Sequence, residues 1–187
     1  MKLVGKNKKV LDVGCSTGFL ARLFKKNGCY VCGIEIDREA AEIAKKYCDK
    51  IIVKDVEQIK NLPYPPGFFD VIVYGDVLEH LKRPDLVLLN LRKYLTPKGI
   101  VIASIPNIAY WGIRLKLLFG KFDYRERGIL DPGHLRFFTK TSIIQLFKDA
   151  GFKIIKIGAT GWRFHWLREL FPTLLSNQFI VAARRTE

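Results

Sequence analysis

Apolar positions along this chain switch between two periods, and the switches mark its elements. Val10, Leu11 and Val13 form a short apolar run suited to a strand buried on both faces, while Phe19, Leu20, Leu23 and Phe24 recur at helical spacing. That helix runs from Gly18 to Asn27-Gly28, a carboxy-terminal stop. A second strand is expected over residues 30–36, YVCGIEI, followed by Asp37 as a helix cap and the alanine-rich helix REAAEIAKKYC. Ile51, Ile52 and Val53 read as a third strand, and VIVYGD, residues 71–76, as a fourth after the proline-rich connection NLPYPPGFFD. A helix over residues 84–95 is expected to turn Leu86, Leu89 or Leu91, and Tyr94 inward and to be ended by Pro97 and Gly99; residues 100–107, IVIASIPN, read as a fifth strand.

The βαβ rhythm then breaks. Residues 108–133 are too long for a tight turn and are rich in aromatic and basic residues. Ile108, Trp111, Leu115 and Leu118 fall at helical spacing with Arg114 and Lys116 between them, which predicts an amphipathic basic helix that packs on the domain, closes over a substrate or lies on a membrane surface. A capped helix from Thr139 to Ala150, a sixth strand FKIIKIGA, the aromatic stretch WRFHWLRELFP and a seventh strand NQFIVAAR complete the chain. Alternating strands and helices in 187 residues predict one α/β domain, residues 1–187, with 108–133 inserted as a lid or substrate-binding segment.

Composition adds three constraints. No apolar run reaches the roughly 18 residues of a bilayer span, and MKLVGKNKK lacks the apolar core of a signal peptide, so a cytoplasmic protein is expected. The four cysteines do not form a disulfide framework. Cys29 and Cys32 have the spacing of a redox or zinc pair, but they begin a strand, where positions three apart face opposite sides, and no second pair follows. The net charge of +14 admits an anionic partner such as RNA, a nucleotide-linked substrate or a membrane surface, yet the basic residues are spread along the chain with no RNA-binding signature.

The chemistry concentrates where the first strand meets the first helix. Asp12 closes the strand, and Gly14-Cys15-Ser16-Thr17-Gly18 lets backbone lie close to a ligand. Neither the phosphate loop GxxxxGK[ST] nor the dinucleotide loop GxGxxG is matched, which leaves a loop suited to a ligand with a cationic end and disfavours a nicotinamide-dependent oxidoreductase. Asp12, Gly14 and Gly18 resemble the first motif of the class I S-adenosylmethionine (SAM) dependent methyltransferases, Asp/Glu-x-Gly-x-Gly-x-Gly, with Ser16 in place of its middle glycine. The resemblance implies a Rossmann-like, seven-stranded, mostly parallel sheet with a carboxy-terminal antiparallel hairpin and helices on both faces. It also implies SAM as cofactor, bound by Asp12, Gly14, Cys15, Ser16, Gly18 and Phe19 in the loop and by Ile36, Gly75 and Leu78, with the Glu35 carboxylate at the ribose, Asp55 and Val56 at the adenine, and Asp76 to His80 nearest the methyl group.

Two further stretches, GDVLEHL at 75–81 and GHLRFF at 133–138, resemble a subgroup of these enzymes found beside sugar-transferring enzymes. From it follow His80 and His134 as catalytic candidates, Arg114, His134 and Arg136 facing the acceptor, and O-methylation of a small or lipid-linked sugar-like hydroxyl. No metal is assigned. Asp76-x-x-Glu79-His80 with His134 nevertheless resembles the cation-holding set of small-RNA terminal ribose methyltransferases, and ubiquinone-pathway O-methyltransferases have a similar Glu-x-x-Glu-His. A metal-dependent RNA methyltransferase is therefore one alternative. A catalytically silent SAM-binding module that buries a partner through 108–122 or 162–171 is another. Acceptor atom and oligomeric state are not encoded in any of these patterns.

Overall fold

The apolar runs become the inner strands of one sheet. In a computed structural model of the chain, which describes residues 3–160, 166 and 170–186, β1 (Lys9–Val13), β2 (Tyr30–Glu35) and β4 (Phe69–Gly75) are buried along nearly their whole length. Continuous burial is what parallel strands covered on both faces require. With β3 (Lys50–Val53), β5 (Leu95–Pro106), β6 (Phe152–Thr160) and β7 (Gln178–Arg185) they form a seven-stranded sheet in the order β3-β2-β1-β4-β5-β7-β6. The first five strands are parallel to their neighbours among themselves. Only β7 is reversed, antiparallel to both β5 and β6, so the expected Rossmann-like sheet with a terminal hairpin is the observed one.

Helices cover both faces. On one, α1 (Phe19–Lys26) buries Ala21 and Phe24 against Val10, Val31 and Val71. On the other, α3 (Pro84–Arg92) and α5 (Lys140–Asp149) pack Leu88, Leu91, Ile143 and Phe147 over Leu11, Ile72 and Val101. Asp37 caps α2 (Arg38–Ala44) by accepting the amides of Glu39 and Ala40, and Thr139 with Ser142 forms a reciprocal capping box at α5. Cys29 and Cys32 belong to the cores on opposite faces, and all four thiols are free. Among the described residues no helix is long and apolar enough to cross a membrane.

Three expectations are corrected. Helix α3 ends at Arg92, and Pro97 and Gly99 lie inside β5, which starts five residues earlier than its apolar run suggests. Starting at Pro84, the helix buries Val87, Leu88 and Leu91, which places Leu86 and Leu89 on the exposed side. Helix α4 (Trp111–Leu118) also presents its expected core face outward: Trp111, Leu115 and Leu118 are exposed and Ile113 is buried. The helix leaves the carboxy-terminal end of the sheet, so only its first turn can reach the core. The stretch 162–172 falls mostly outside the described residues, and α6 (Pro172–Leu175) follows it.

Candidate active site

Strand order reverses between β1 and β4, and crevices form outside the carboxy ends of strands at such a point. Gly14 and Gly18 have φ of 66° and 82°, the left-handed region that glycine enters freely. A β-carbon at Gly14 would lie 2.5 Å from a Val77 methyl carbon, so loop and β4 end meet without room for a side chain. Glu35 shapes the same loop. Its Oε2 accepts the Ser16 amide at 2.7 Å, and its Oε1 accepts the amides of Ile36 and Asp37 at 2.8 and 2.9 Å. A carboxylate with two oxygens can take a ligand hydroxyl beside these bonds, because each oxygen offers two lone pairs.

Three cavities converge here. The first, about 420 Å³, is lined by Asp12, Gly14, Cys15, Ser16, Phe19, Gly75 and Asp76, with an apolar wall that includes Val73 and Ile102. A second, about 320 Å³, lies between β2 and β3 and takes in Glu35, Ile36, Asp55, Val56 and Asp76. The third, about 300 Å³, is polar and opens between the β4 end and the inserted segment, with Asp76, Glu79, His80, Arg127, Asp131, His134, Asn177 and Gln178 on its wall.

Asp12 is buried in the first cavity, and its Oδ2 has no hydrogen-bond partner among the described residues. Burial, with a smaller contribution from the Glu35 charge, pushes its carboxyl up to about 7. An orphaned buried carboxylate oxygen calls for a cationic group, the end that the glycine loop was expected to receive.

Backbone carbonyls hold both imidazoles at the polar cavity. His80 Nδ1 lies 2.9 Å from the Gly133 carbonyl and His134 Nδ1 lies 3.1 Å from that of Ile129. A carbonyl only accepts, so each Nδ1 carries a proton and Nε2 is the ring position left to act as an acceptor. The two rings meet edge to face at 4.8 Å. Glu79 lies against them with both carboxylate oxygens buried and without a partner among the described residues, and burial pushes its carboxyl up to about 8. Its backbone carbonyl accepts the amides of Leu135 and Arg136, which ties the β4 end to the stretch carrying His134. One donor atom from each of Glu79, His80 and His134 fits within 4.8 Å of the others, and Asp76 is outside that group.

Of the sequence-expected residues, the cavities bring together all but two of the loop and strand-end set. Leu78 is fully buried in the core, and Gly18 packs against Ala44 and Tyr47, so each supports the site from behind. Arg114 and Arg136 donate to the carbonyls of Ala109 and Lys82 and do not line the polar cavity. Arg127 takes the place expected for them. Sequence reasoning also missed Ser104, Asp131, Asn177 and Gln178. Gln178 opens the last strand and Asn177 directly precedes it, and the antiparallel return of β7 beside β5 carries both to the site.

Comparison with known proteins agrees with this geometry. Residues 2–157 match the family model described as a methyltransferase domain. The ubiquinone biosynthesis O-methyltransferase of Psychrobacter arcticus is 28% identical over 160 residues, covering 81% of this chain and 61% of that enzyme, so the chain spans about three fifths of that relative. The enzyme of the same name from Coxiella burnetii is 25% identical over 171 residues, covering 89% and 71%. Among solved structures, a SAM-dependent methyltransferase from Archaeoglobus fulgidus superposes with a TM-score of 0.72 at 16% identity over 97% of this chain and 88% of its own. One from Methanosarcina mazei gives 0.71 at 17% identity over 100% and 96%. A glycine loop and an orphaned Asp12 at the switch point of this sheet, with the family match over most of the chain, identify it as a member of the methyltransferase domain family, a class I enzyme whose cofactor is SAM.

Proposed function

We propose that the chain methylates a hydroxyl oxygen of a small or lipid-linked, sugar-like acceptor bound in the polar cavity. The observation that carries this reading is the pair of imidazoles, each with Nε2 free as an acceptor, on the wall of a cavity that shares Asp76 with the cofactor crevice. When bound, SAM supplies a methyl group on a sulfonium, and its loss leaves a neutral thioether. Asp12 and the loop from Gly14 to Phe19 hold the amino-acid end, with Asp12 as counter-ion of the ammonium. Glu35 and Ile36 hold the ribose, and Asp55 and Val56 flank the adenine. Both histidines lie where a hydroxyl would enter; as the O–C bond forms and the S–C bond breaks, Nε2 of one of them accepts the hydroxyl proton. Arg127, Asp131 and Asn177 offer donors and acceptors of the kind a polyhydroxylated molecule needs. The segment 108–133 acts as the acceptor-side wall of a single domain. The name O-methyltransferase on the curated relatives supports oxygen as the receiving atom. Four free thiols fit a cytoplasmic setting.

A second reading has its own observation. Glu79, whose carboxylate oxygens have no partner among the described residues, has one donor atom within 4.8 Å of a ring nitrogen of both His80 and His134, a set that suits a divalent cation, which would lower the pKa of an acceptor hydroxyl in place of a histidine base. Transfer of labelled methyl from SAM to a panel of sugars, lipid-linked sugars, catechols and RNA tests both. Under the base reading one of His80→Gln and His134→Gln lowers turnover about 100-fold or more, His134→Gln keeps SAM affinity because that residue lines the polar cavity and neither of the other two, and chelator has no effect. Loss of turnover on chelation, restored by magnesium or manganese, selects the cation. Transfer to RNA alone, with steep salt dependence, would replace the sugar-like acceptor.

A further inference from the structure

Among the described residues, Asp76 alone lines all three cavities. The first would receive the amino-acid half of SAM, the second the adenosine half, and the third the acceptor. The atom that joins those halves and carries the methyl group is the sulfonium sulfur, so the residue common to all three walls is its neighbour. The backbone is adapted to this placement. Asp76 has φ of 56°, one of three non-glycine residues in the left-handed region among the described residues, a conformation that a short polar side chain tolerates best. Its Oδ1 is held from two strands: Ser104 Oγ on β5 donates at 2.8 Å, and Gln178 Nε2 on β7 donates to the same oxygen. Oδ2 receives no hydrogen bond from the described residues. A carboxylate anchored through one oxygen and open through the other, at the meeting point of three cavities, is built to face a cation.

We infer that Asp76 faces the sulfonium and lets the enzyme tell charged SAM from its neutral demethylated product, S-adenosylhomocysteine, with Ser104 and Gln178 as the residues that position it. This rests on the cofactor placement proposed above and assigns roles to two residues on strands that otherwise serve the core. Exchange of product for fresh cofactor would then be driven partly by charge.

Calorimetric titration of both ligands tests it without an acceptor. Asp76→Asn is expected to weaken SAM about tenfold and to leave S-adenosylhomocysteine within about twofold. Asp12→Asn provides the contrast, because both ligands carry the same ammonium and should weaken together. Ser104→Ala and Gln178→Leu should shift the SAM-to-product affinity ratio in the same direction by a smaller factor, and they carry the test if Asp76→Asn does not fold. Equal weakening of both ligands in Asp76→Asn, or a ratio unchanged across all three variants, overturns the assignment. Equal loss in Asp12→Asn together with an unchanged ratio in the others leaves the cofactor placement standing while removing Asp76 from the sulfonium. An Asp12→Asn variant that binds both ligands as wild type removes that placement and the inference with it.

Discussion

Burial holds the Asp12 carboxyl near 7 while the unfolded chain titrates near 3.9, and the sign of the consequence follows from that order. A carboxyl raised in the folded state keeps a proton that the unfolded state has released, so its favourable contribution is full below about pH 4 and is lost as pH rises through 7. By linkage the change is on the order of 4 kcal/mol. The ligand-free protein should therefore melt at falling temperature as pH rises from about 4 to about 7, and Asp12→Asn should flatten that slope. SAM binding needs the ionised form. Below pH 7 it should release a proton, visible as a binding heat that depends on the buffer and disappears in Asp12→Asn; a buffer-independent heat in the wild type would remove the ammonium from Asp12.

Among the elements, α4 shows how spacing misleads when few neighbours are available. Trp111, Leu115 and Leu118 have the periodicity of a buried face, yet the one side chain of the helix that enters the core is Ile113. Ile113→Ala should cost about 2–4 kcal/mol by removing buried methylenes. Leu118→Ser, on a residue 78% exposed, should stay within about 0.5 kcal/mol. Urea denaturation measures both, and comparable losses would restore the expected face. In contrast, α5 was legible to its ends, because Thr139 and Ser142 complete each other's hydrogen bonds and Gly151, with φ of 74°, stops the helix without reference to anything distant.

For the whole molecule, the two halves of the site separate along the chain. The residues lining the first two cavities lie outside 114–127, whereas Arg127 belongs to the polar cavity. Replacing residues 114–127 by a short glycine-serine linker should keep SAM affinity within about twofold and abolish methyl transfer to the acceptor. Transfer that survives would remove the inserted segment from the acceptor wall.

The sequence by itself determined the α/β alternation, the seven strands, the glycine loop and the acidic residues at the ends of β1 and β2, because those depend on local period, local turn chemistry and positions next to a strand end. Tertiary structure alone decided that Leu78 and Gly18 lie behind the site, that Arg127 and not Arg114 or Arg136 reaches the polar cavity, and that Ser104 and Gln178 meet Asp76. Those contacts join residues up to 102 positions apart. They exist because β7 returns antiparallel beside β5 and the Glu79 carbonyl clamps the segment that carries His134. Sequence spacing has no record of which distant strands become neighbours, so most of the expected loop and strand-end residues line the first two cavities, while of the polar cavity only Asp76, Glu79, His80 and His134 were readable.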